Sequence, residues 1–513
     1  MRNARESEGA PRPTLLFALV LAIATSGLIY ELSLAAVASY LLGDTVHQFS
    51  LVIGVYLSAL GVGAYLSRSV QRRLSLTFID IELSTALIGG LSSPVLLSLF
   101  GSVAAWEPLF YAVVSLVGIL VGLELPLLIR TLEHRLELKE LIAKALSFDY
   151  AGALLGSLAF SFVLVPKLGL SRGSVASGIV NSLVGVISTW ALAGLPDISK
   201  AQLRAARVRA LLVCLVLLVA FVYADRATRV SDAALYPGRI LHAEQSRYQH
   251  LVLTDSNQEL RLFLNGHLQF SSRDEHRYHE ALVHPALTLA RARKRVFIGG
   301  GGDGLAAREV LRWPDVERVV LVDLDPAITS LFARDPHLVA LNNRSLLDPK
   351  LAIRNADAAV QLRDSVEQYD VLLLDFPDPT HYGIGKLYSL EFYRTLKQRL
   401  AVGGIAALQA TSPLFAPAAY WCIVRTLEAA GLYALPYHVF VPSFGDWGFV
   451  LVSHTPLQKP DRIPLEELRF LTPAVLAAAF TFPPLSAPVP VRINRFDNQA
   501  LVGYYLAAWD RWD

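Results

Sequence analysis

The chain has 513 residues and a formal net charge of +2 at pH 7, and 53% of its residues are hydrophobic. No basic stripe of the kind that binds nucleic acid runs along any segment, so no nucleic-acid partner is predicted. The mean hydropathy of +0.43 is well above that of a soluble enzyme. The two cysteines, Cys214 and Cys422, lie in different halves, so the sequence predicts neither a disulfide nor a metal site.

The long apolar runs are confined to residues 14–224, after a polar tail over 1–13. A helix crosses about 30 Å of hydrocarbon with about 20 apolar residues. Seven stretches reach that length: 14–41, 49–67, 82–102, 108–129, 145–166, 174–195 and 208–224. Seven in succession favour a membrane domain over buried core helices. The first is too long for a cleaved signal peptide and is interpreted as a retained anchor.

Acidic residues occur inside these spans, at Glu31, Glu124 and Asp149. Each is costly in lipid and is expected to face the interior of the helical bundle. The acids either bond to groups of neighbouring helices or bind a cationic solute such as a polyamine, and the sequence leaves both readings open. Four glycines in the same spans predict seams of close helix packing: Gly118, Gly122, Gly152 and Gly156.

Positive charges flank the spans unevenly. Fourteen lysines and arginines fall on the side of the tail, within 2–12, 68–73, 130–144 and 200–209, and four fall on the other side. The positive-inside rule therefore places the N-terminus in the cytoplasm. With seven spans, the rest of the chain would then lie outside the cell, in conflict with the function inferred below. A re-entrant segment in the first or fifth span would resolve the conflict.

The second half of the chain reads as an α/β domain. Segments 248–254, 259–264 and 267–270 alternate as β-strands, and Asn265-Gly266 predicts a hairpin between the last two. Apolar strands then alternate with helices, which is typical of a parallel, doubly wound sheet. The predicted strands are 295–298, 319–322, 371–374 and 405–409, and the predicted helices are 275–290, 304–312, 327–334 and 389–400.

Carboxylates follow four strands of the predicted sheet. One of the four is a further predicted strand at Ile353. They are Asp303 in the glycine-rich turn, Asp323 and Asp325, Asp357, and Asp375 and Asp378. Ligands of such sheets bind beyond the carboxyl ends of the strands. A helix N-cap role could account for Asp325 and Asp378, but not easily for Asp303 and Asp375.

A crevice with this many carboxylates repels phosphate and attracts cations. The sequence VFIGGGGDGLAAREV (296–310) therefore does not predict a dinucleotide site, although its glycines suit a nucleotide turn. An adenosyl sulfonium and an amine fit these acids better.

The ordered motifs resemble those of the polyamine aminopropyltransferases, the spermidine synthases. They are YQ (248–249), RDEHRYHE (273–280), GGGDGLAARE (300–309), VDLDP (322–326), NADA (355–358), DFPDP (375–379), LYSLEFY (387–393) and GGIAALQATSP (403–413). With a membrane domain ahead of them, the chain is similar to the membrane-bound bacterial subgroup. The expected fold is an α-helical multi-span domain followed by a Rossmann-like, class I methyltransferase-type domain that begins with a small β-hairpin region.

The resemblance implies transfer of an aminopropyl group from decarboxylated S-adenosylmethionine to an amine, putrescine first among the candidates, with no further cofactor. Asp375 would be the general base and Asp378 would bind the polyamine. Positions matching the nucleoside site are Gln249, Asp323, Asp357, Ala358 and the turn glycines Gly300, Gly301 and Gly302. Positions matching the aminopropyl and polyamine chain are His279 and Asp303, with Tyr248, Tyr278 and Gln409 as pocket walls.

The resemblance also places a catalytic domain over 230–455, with an extension over 456–513, in an inner-membrane protein in contact with lipid. It implies a homo-oligomer, and a cytoplasmic catalytic domain because the donor is made in the cytosol. Phe444 stands where soluble members often have a tyrosine, which leaves the acceptor amine open.

Two alternatives differ in chemistry: a methyltransferase of the same fold, and a polyamine transporter or sensor. Asp303 disfavours the first, since it would face the carboxylate of ordinary S-adenosylmethionine. The pair Asp375 and Asp378 disfavours the second.

Overall fold

The computed structural model describes residues 13–42, 45–100, 103, 105–133, 137–193 and 197–509, so the predicted tail lies outside the described residues except for Pro13. The chain divides into two compact units, Met1–Arg239 and Ile240–Asp513.

The first unit is helical. Its helices are α1 (Pro13–Leu42), α2 (Thr45–Leu66), α3 (Leu74–Leu99), α4 (Trp106–Leu132), α5 (Leu138–Ala159), α6 (Val165–Ala191) and α7 (Lys200–Leu235). Among the described residues, six helical runs are long and apolar enough to cross a membrane, where the sequence predicted seven spans.

The difference in number arises between α5 and α6. A π-helical turn at Phe160–Leu164 joins them, so that the run Leu138–Ala191 continues for 54 residues. At 1.5 Å per residue this run would be about 81 Å long, far more than a bilayer core. Gly169 breaks it with a left-handed φ of 73°, and the predicted fifth and sixth spans lie on either side of the break.

The close helix packing predicted at the four glycines is present. A Cβ atom at Gly118 or Gly122 would lie 2.9 or 2.2 Å from a carbonyl oxygen of α2. At Gly152 and Gly156 it would lie 2.5 and 2.7 Å from carbonyl oxygens of α1. Only glycine permits these backbone approaches, so α2–α4 and α1–α5 pack closely where the sequence indicated.

Helix α7 ends beside the end of α1, because the Tyr40 hydroxyl donates to Asp232 Oδ1 at 2.8 Å. The start of α1 and the end of α7 therefore lie at opposite ends of the helical unit. The long first span is one unbroken helix and is not re-entrant.

The second unit begins with a four-stranded sheet of β1 (Arg239–Gln245), β2 (His250–Ser256), β3 (Glu259–Leu264) and β4 (His267–Ser271), in that order. The strands β3 and β4 form the predicted hairpin. Asn265 and Gly266 have φ values of 50° and 87°, as a two-residue type I′ turn requires. Strand β1 escaped prediction because its sequence, RILHAEQ, is largely polar.

A seven-stranded sheet forms the core of this unit. Its strands are β5 (Arg295–Gly300), β6 (Arg318–Asp323), β7 (Leu351–Asn355), β8 (Tyr369–Asp375), β9 (Leu400–Gln409), β10 (Tyr433–Val441) and β11 (Gly445–Ser453). The order is β10-β11-β9-β8-β5-β6-β7, in which β5 to β9 are parallel and β10 and β11 are antiparallel additions.

The direction of strand succession reverses between β5 and β8, and this is where ligands bind in doubly wound sheets. Gly300 pairs in register with Asp375 at that point. Two apolar clusters cover the opposite faces of the sheet, one under α8 (Glu275–Leu289) and one under α14 (Leu390–Arg399) and α15 (Pro417–Ala429).

The remaining helices are short and lie at the strand ends or in the C-terminal extension. They are α9 (Leu305–Val310), α10 (Pro326–Arg334), α11 (Pro336–Leu341), α12 (Ala358–Asp364), α13 (Tyr382–Gly385), α16 (Pro473–Ala479) and α17 (Ala500–Trp509).

Candidate active site

Three acidic side chains meet at the switch point of the sheet. Asp303 follows β5, Asp323 ends β6 and Asp375 ends β8. Each is partly accessible, and the negative charge of Asp375 acts on both of the others. The prediction that strand-end carboxylates share one crevice is confirmed for these three residues.

The glycine-rich turn fits closely around the acids. Gly300 has a φ of 82°, and a Cβ atom there would lie 2.0 Å from the carbonyl oxygen of Asp375. A Cβ atom at Gly302 would lie 2.7 Å from the Asp323 carboxylate, to which the Gly302 amide donates at 2.9 Å. At Gly301, with φ 66°, it would lie 3.3 Å from Asp375 Oδ2. The turn therefore packs against carboxylates.

Asp375 is positioned by a tyrosine. The Tyr278 hydroxyl, on α8, donates to Asp375 Oδ1 at 2.5 Å. Burial raises the pKa of Asp375, and the neighbouring His279 and Tyr278 oppose that rise. Tyr278 was predicted as a pocket wall, and in the structure it also orients the carboxylate.

Asp378 lies in the loop after β8 and is only half satisfied. Thr411 donates to its Oδ2 at 3.1 Å, whereas its buried Oδ1 accepts no hydrogen bond from the described residues. Burial raises the pKa of Asp378 to about 6, against the lowering effect of Tyr505, Thr411 and Gln409. The N-cap alternative does not hold for Asp378, since the next helix, α13, is capped by His381.

Gln409 anchors the loop that carries the two acids. Its amide nitrogen donates to the Phe376 carbonyl at 2.5 Å and to the Tyr388 hydroxyl at 2.6 Å, and its oxygen accepts from the Thr411 amide at 2.9 Å. Gln409 is 2% exposed and holds the loop with Asp375 and Asp378 from its buried side.

Asp303 caps the turn ahead of α9 by accepting from the Leu305 amide at 2.8 Å. Burial raises its pKa to about 6; His279 lowers it, while the like charges of Asp375 and Asp323 add to the rise. Burial likewise raises the pKa of Asp323 to about 6, against the hydrogen bonds from the Asp325 and Gly302 amides.

His279 supplies positive charge beside these acids. Its Nδ1 lies 2.8 Å from the Glu275 carbonyl and 2.9 Å from Glu275 Oε2, so Nδ1 donates. Burial alone would lower the pKa of His279, but Glu275, Asp303 and Asp375 raise it to about 9. The imidazole is therefore an imidazolium at neutral pH.

Glu275 is itself held by Arg308, whose two terminal nitrogens donate to its two oxygens at 3.0 and 2.8 Å. Although burial works against ionisation, His279 and Arg308 lower the pKa of Glu275 to about 2. The sequence prediction missed both residues. Glu275 precedes His279 by one helical turn, a spacing that could have revealed the pair.

The positions predicted to bind the nucleoside are only partly free in this structure. Gln249 donates to Asp325 Oδ2 at 3.0 Å, and Asp325 caps α10 by accepting from the Ala327 amide at 3.0 Å. The N-cap reading is therefore confirmed for Asp325. Tyr248 is 44% exposed beside Gln249.

Asp357 caps α12, where its Oδ1 accepts from the Ala359 amide at 2.9 Å, and its Oδ2 pairs with Lys386 Nζ at 2.5 Å. Burial opposes ionisation, but Lys386 and the helix amides lower the pKa of Asp357. Ala358, the first residue of α12, is buried. The sequence prediction missed Lys386, because no spacing rule relates it to Asp357.

Phe444 lies beside Tyr278, the partner of Asp375, through ring contacts, with its centroid 6.3 Å from that of Tyr278 and 5.0 Å from that of Trp447. Ser443 fixes this loop, because its amide and hydroxyl donate to Asp274 at 2.7 to 2.9 Å. The substitution noted in the sequence therefore faces the crevice from the β10–β11 turn.

Known proteins resemble this chain over both of its units. The family model for the spermine/spermidine synthase domain matches residues 275–462. The polyamine aminopropyltransferase of Leptospira interrogans is 47% identical over 97% of this chain and 99% of its own. Polyamine aminopropyltransferase 1 of Ralstonia nicotianae is 45% identical over 98% and 97%, and that of Streptomyces coelicolor is 41% identical over 96% and 94%.

Two solved spermidine synthases match about half of the chain. One, in complex with the transition state analogue AdoDATO, is 26% identical and covers 48% of this chain and 86% of its own, with a TM-score of 0.44. The other, from Thermotoga maritima, is 25% identical and covers 48% and 85%, with a TM-score of 0.43. The curated relatives, in contrast, match the helical unit as well as the α/β unit, and on that full-length similarity the chain belongs to the polyamine aminopropyltransferases, enzymes of the spermine/spermidine synthase family.

Proposed function

We propose that this enzyme transfers the aminopropyl group of decarboxylated S-adenosylmethionine to putrescine, giving spermidine and methylthioadenosine. The observation that carries the proposal is that Asp303 and Asp375 share one crevice with His279 as the adjacent positive charge, and that Asp378 follows Asp375 in the next loop and lies near Tyr278. Such a site attracts a sulfonium and an amine. A nitrogen–carbon bond forms while the carbon–sulfur bond breaks, and the sulfonium becomes a neutral thioether.

Asp375 acts as the general base in this proposal. An alkylamine has a reference pKa near 10.4, by analogy with lysine, so it is mostly protonated and unable to attack at neutral pH. Burial raises the pKa of Asp375, and the Tyr278 hydroxyl at 2.5 Å fixes its orientation. Both features suit a carboxylate that removes a proton from the amine.

Asp378 and Asp303 bind the two cationic ends of the reactants. The buried Oδ1 of Asp378 would accept from an ammonium group, since no described residue donates to it with good hydrogen-bond geometry, although Tyr505 lies nearby. Asp303 would receive the primary ammonium of the aminopropyl tail. The α-carboxylate of ordinary S-adenosylmethionine would meet this carboxylate as a like charge, so Asp303 selects the decarboxylated donor.

The nucleoside is proposed to lie along the glycine turn Gly300–Gly302. Asp323 accepts from the ribose hydroxyls, and Asp357 with the neighbouring Ala358 binds the adenine. Gln249 and Tyr248 border this site, and His279 borders the aminopropyl chain. Because the sulfonium is already an activated leaving group, the transfer needs no metal.

We also propose that the helical unit crosses the cell membrane and that the α/β unit lies on its cytoplasmic face, where the donor is made. Six long apolar helices support the first statement. If the α/β unit is cytoplasmic, the arginine-rich connections of the helical unit lie outside the cell, because α1 starts and α7 ends at opposite ends of that unit. Access to the donor is given more weight here than the charge asymmetry.

Replacing the base is expected to abolish chemistry while binding persists. In Asp375→Asn the amide cannot accept the amine proton, and kcat should fall by about 10²- to 10⁴-fold. Release of methylthioadenosine measures this, and calorimetric titration with the donor should show retained binding. Asp364→Asn, at an exposed carboxylate, is the control. Near-normal turnover of Asp375→Asn would refute the assignment.

The rate should depend on pH through the crevice acids. Asp303 and Asp378, whose pKa values are raised to about 6, are charged above that pH and neutral below it. Cation binding is therefore expected to weaken as the pH falls through about 6, and kcat/KM for the amine should show an acidic limb there. A kcat/KM profile that stays level to about pH 5 would contradict this view.

Asp303→Asn is expected to weaken discrimination between the two donors. The variant removes the like charge that opposes the carboxylated donor, so the ratio of the two dissociation constants should move toward one. Calorimetric titration with each donor measures the ratio, and Asp364→Asn again serves as the control. An unchanged ratio would exclude Asp303 as the selecting group.

The orientation is open to a direct test. Green fluorescent protein fused after Asp513 should fluoresce, and alkaline phosphatase fused there should stay inactive, if the α/β unit is cytoplasmic. The opposite pattern would place catalysis outside, as the charge asymmetry of the connections favours.

A further inference from the structure

Polar side chains from four helices meet inside the helical unit. They are Tyr30 on α1, Glu82 on α3, Glu124 on α4 and Asn181 on α6, and none is more than 1% exposed. Glu82 and Glu124 act on each other electrostatically, Tyr30 lies in the field of both, and Asn181 is a neighbour of Glu124. We refer to these four residues as the bundle site.

Most polar atoms of the bundle site lack a hydrogen bond of good geometry among the described residues, although Thr85 and Asn181 lie close to Glu124, and Ser177 lies close to Tyr30. These atoms are both carboxylate oxygens of Glu82, Oε1 of Glu124, both side-chain amide atoms of Asn181 and the hydroxyl of Tyr30. Buried polar groups in proteins are nearly always hydrogen-bonded. A set of adjacent exceptions indicates that the site is built for a group other than these side chains.

Ion pairs of the described residues bring no positive charge to the bundle site. In the described part of the helical unit, the ion pairs of lysine and arginine involve other acids: Arg209–Asp80, Arg172–Asp225 and Lys144–Glu140. Among the described residues, no lysine or arginine is one of the main influences on the charge of Glu82 or Glu124. Two adjacent carboxylates cannot both remain charged without a counterion in an apolar interior.

The bundle site lies deep within the helices. Glu82 is eight residues from the start of α3, and Glu124 is eight residues from the end of α4. At 1.5 Å per residue, each is about 12 Å from the nearer helix end. The acids are therefore too far from the ends to reach water by extending their side chains.

We propose that Glu82 and Glu124, together with Tyr30 and Asn181, form a binding site for an alkylammonium cation, and that the acids carry protons when the cation is absent. An ammonium group has three donors and no acceptor, which matches a site of carboxylate, amide and phenol oxygens. A divalent metal ion is disfavoured, since the described residues contain no group of three or more His, Cys, Asp or Glu side chains that could hold one. The choice of an alkylammonium rests on the proposed function, which makes polyamines the substrate and product of this chain.

Entry to the enclosed site requires a helix to move, and α6 has two irregular segments that would permit movement. It joins α5 through the π-helical turn Phe160–Leu164, and it is interrupted at Gly169. Such turns occur often at functional sites. A shift of α6 would carry Asn181 away from Glu124 and open the bundle site.

Other titratable groups face the site and could share its protons. Tyr56 on α2 and Asp149 on α5 lie beside Glu124, and Glu31 on α1 lies beside Tyr56. Because these groups are acids or phenols, none supplies the missing positive charge. Binding of an alkylammonium should therefore release protons from the acids.

The test is equilibrium dialysis of the intact protein in detergent with labelled spermidine, together with proton release in weakly buffered solution. The wild-type protein should show two classes of site. Asp378→Asn should remove only the catalytic class. Glu82→Gln and Glu124→Gln should each weaken the other class at least tenfold and abolish its proton release, while methylthioadenosine release persists.

Glu140→Gln, at a half-exposed acid of the same unit, is the matched control and should behave as wild type. If either glutamine variant does not fold, Tyr30→Phe and Asn181→Leu test the same site without touching its charge. Spermidine binding that depends wholly on Asp378, or proton release that survives both glutamine variants, would overturn the proposal. An absence of methylthioadenosine from the wild type, with binding that depends on Glu82, would refute only the proposed catalytic function.

Discussion

Carboxylates withdrawn from water determine how the α/β unit works. Asp303, Asp323 and Asp375 converge because parallel strands end at one edge of the sheet, and the charge of Asp375 acts on the other two. Burial then makes each acid favour a proton or a cation. A site with this property needs no metal to attract a sulfonium, and it discourages phosphate, which separates this glycine turn from that of a dinucleotide enzyme.

The negative charge of the crevice is partly offset by a chain of buried ion pairs on α8 and α9. His279 bonds to Glu275, Glu275 to Arg308, and Arg308 to Glu309 at 2.8 Å. Burial opposes the charge on Glu309, but His284 and Arg308 lower its pKa. Removing one member of such a chain would leave another charged group unpaired, so the network fixes α8 against α9 and thereby holds Tyr278 over Asp375.

The sequence predicted the parts of this architecture that depend on local chemistry. The hairpin at Asn265-Gly266 follows from left-handed backbone at both residues, and the glycine turn follows from backbone approaches that a Cβ atom would block. The strand ends could be predicted because apolar runs stop at an acid. For the same reason, the sequence predicts Asp303, Asp323 and Asp375 as neighbours.

Features that depend on distant contacts were not predictable. Nothing near Gln409 in the sequence indicates that its amide would hold the Phe376 carbonyl, and nothing near Lys386 points to Asp357. Six long apolar runs stand where the sequence predicted seven spans, because hydropathy does not show that a π-helical turn joins the fifth and sixth stretches, which the break at Gly169 still separates. Residue types give the chemistry of a strand end, but long-range packing decides which partners occupy it.

The two units treat buried acids differently, and this difference separates their roles. In the crevice, the acids are partly accessible, and an imidazolium already offsets part of their charge. Ligands can therefore bind and dissociate there by exchanging with water. In the helical unit, Glu82 and Glu124 are enclosed, and the described residues offer them no cation. Any exchange of a cation at these acids must be coupled to helix movement. The same preference for cations would therefore support ligand binding in the α/β unit and gated binding in the helical unit.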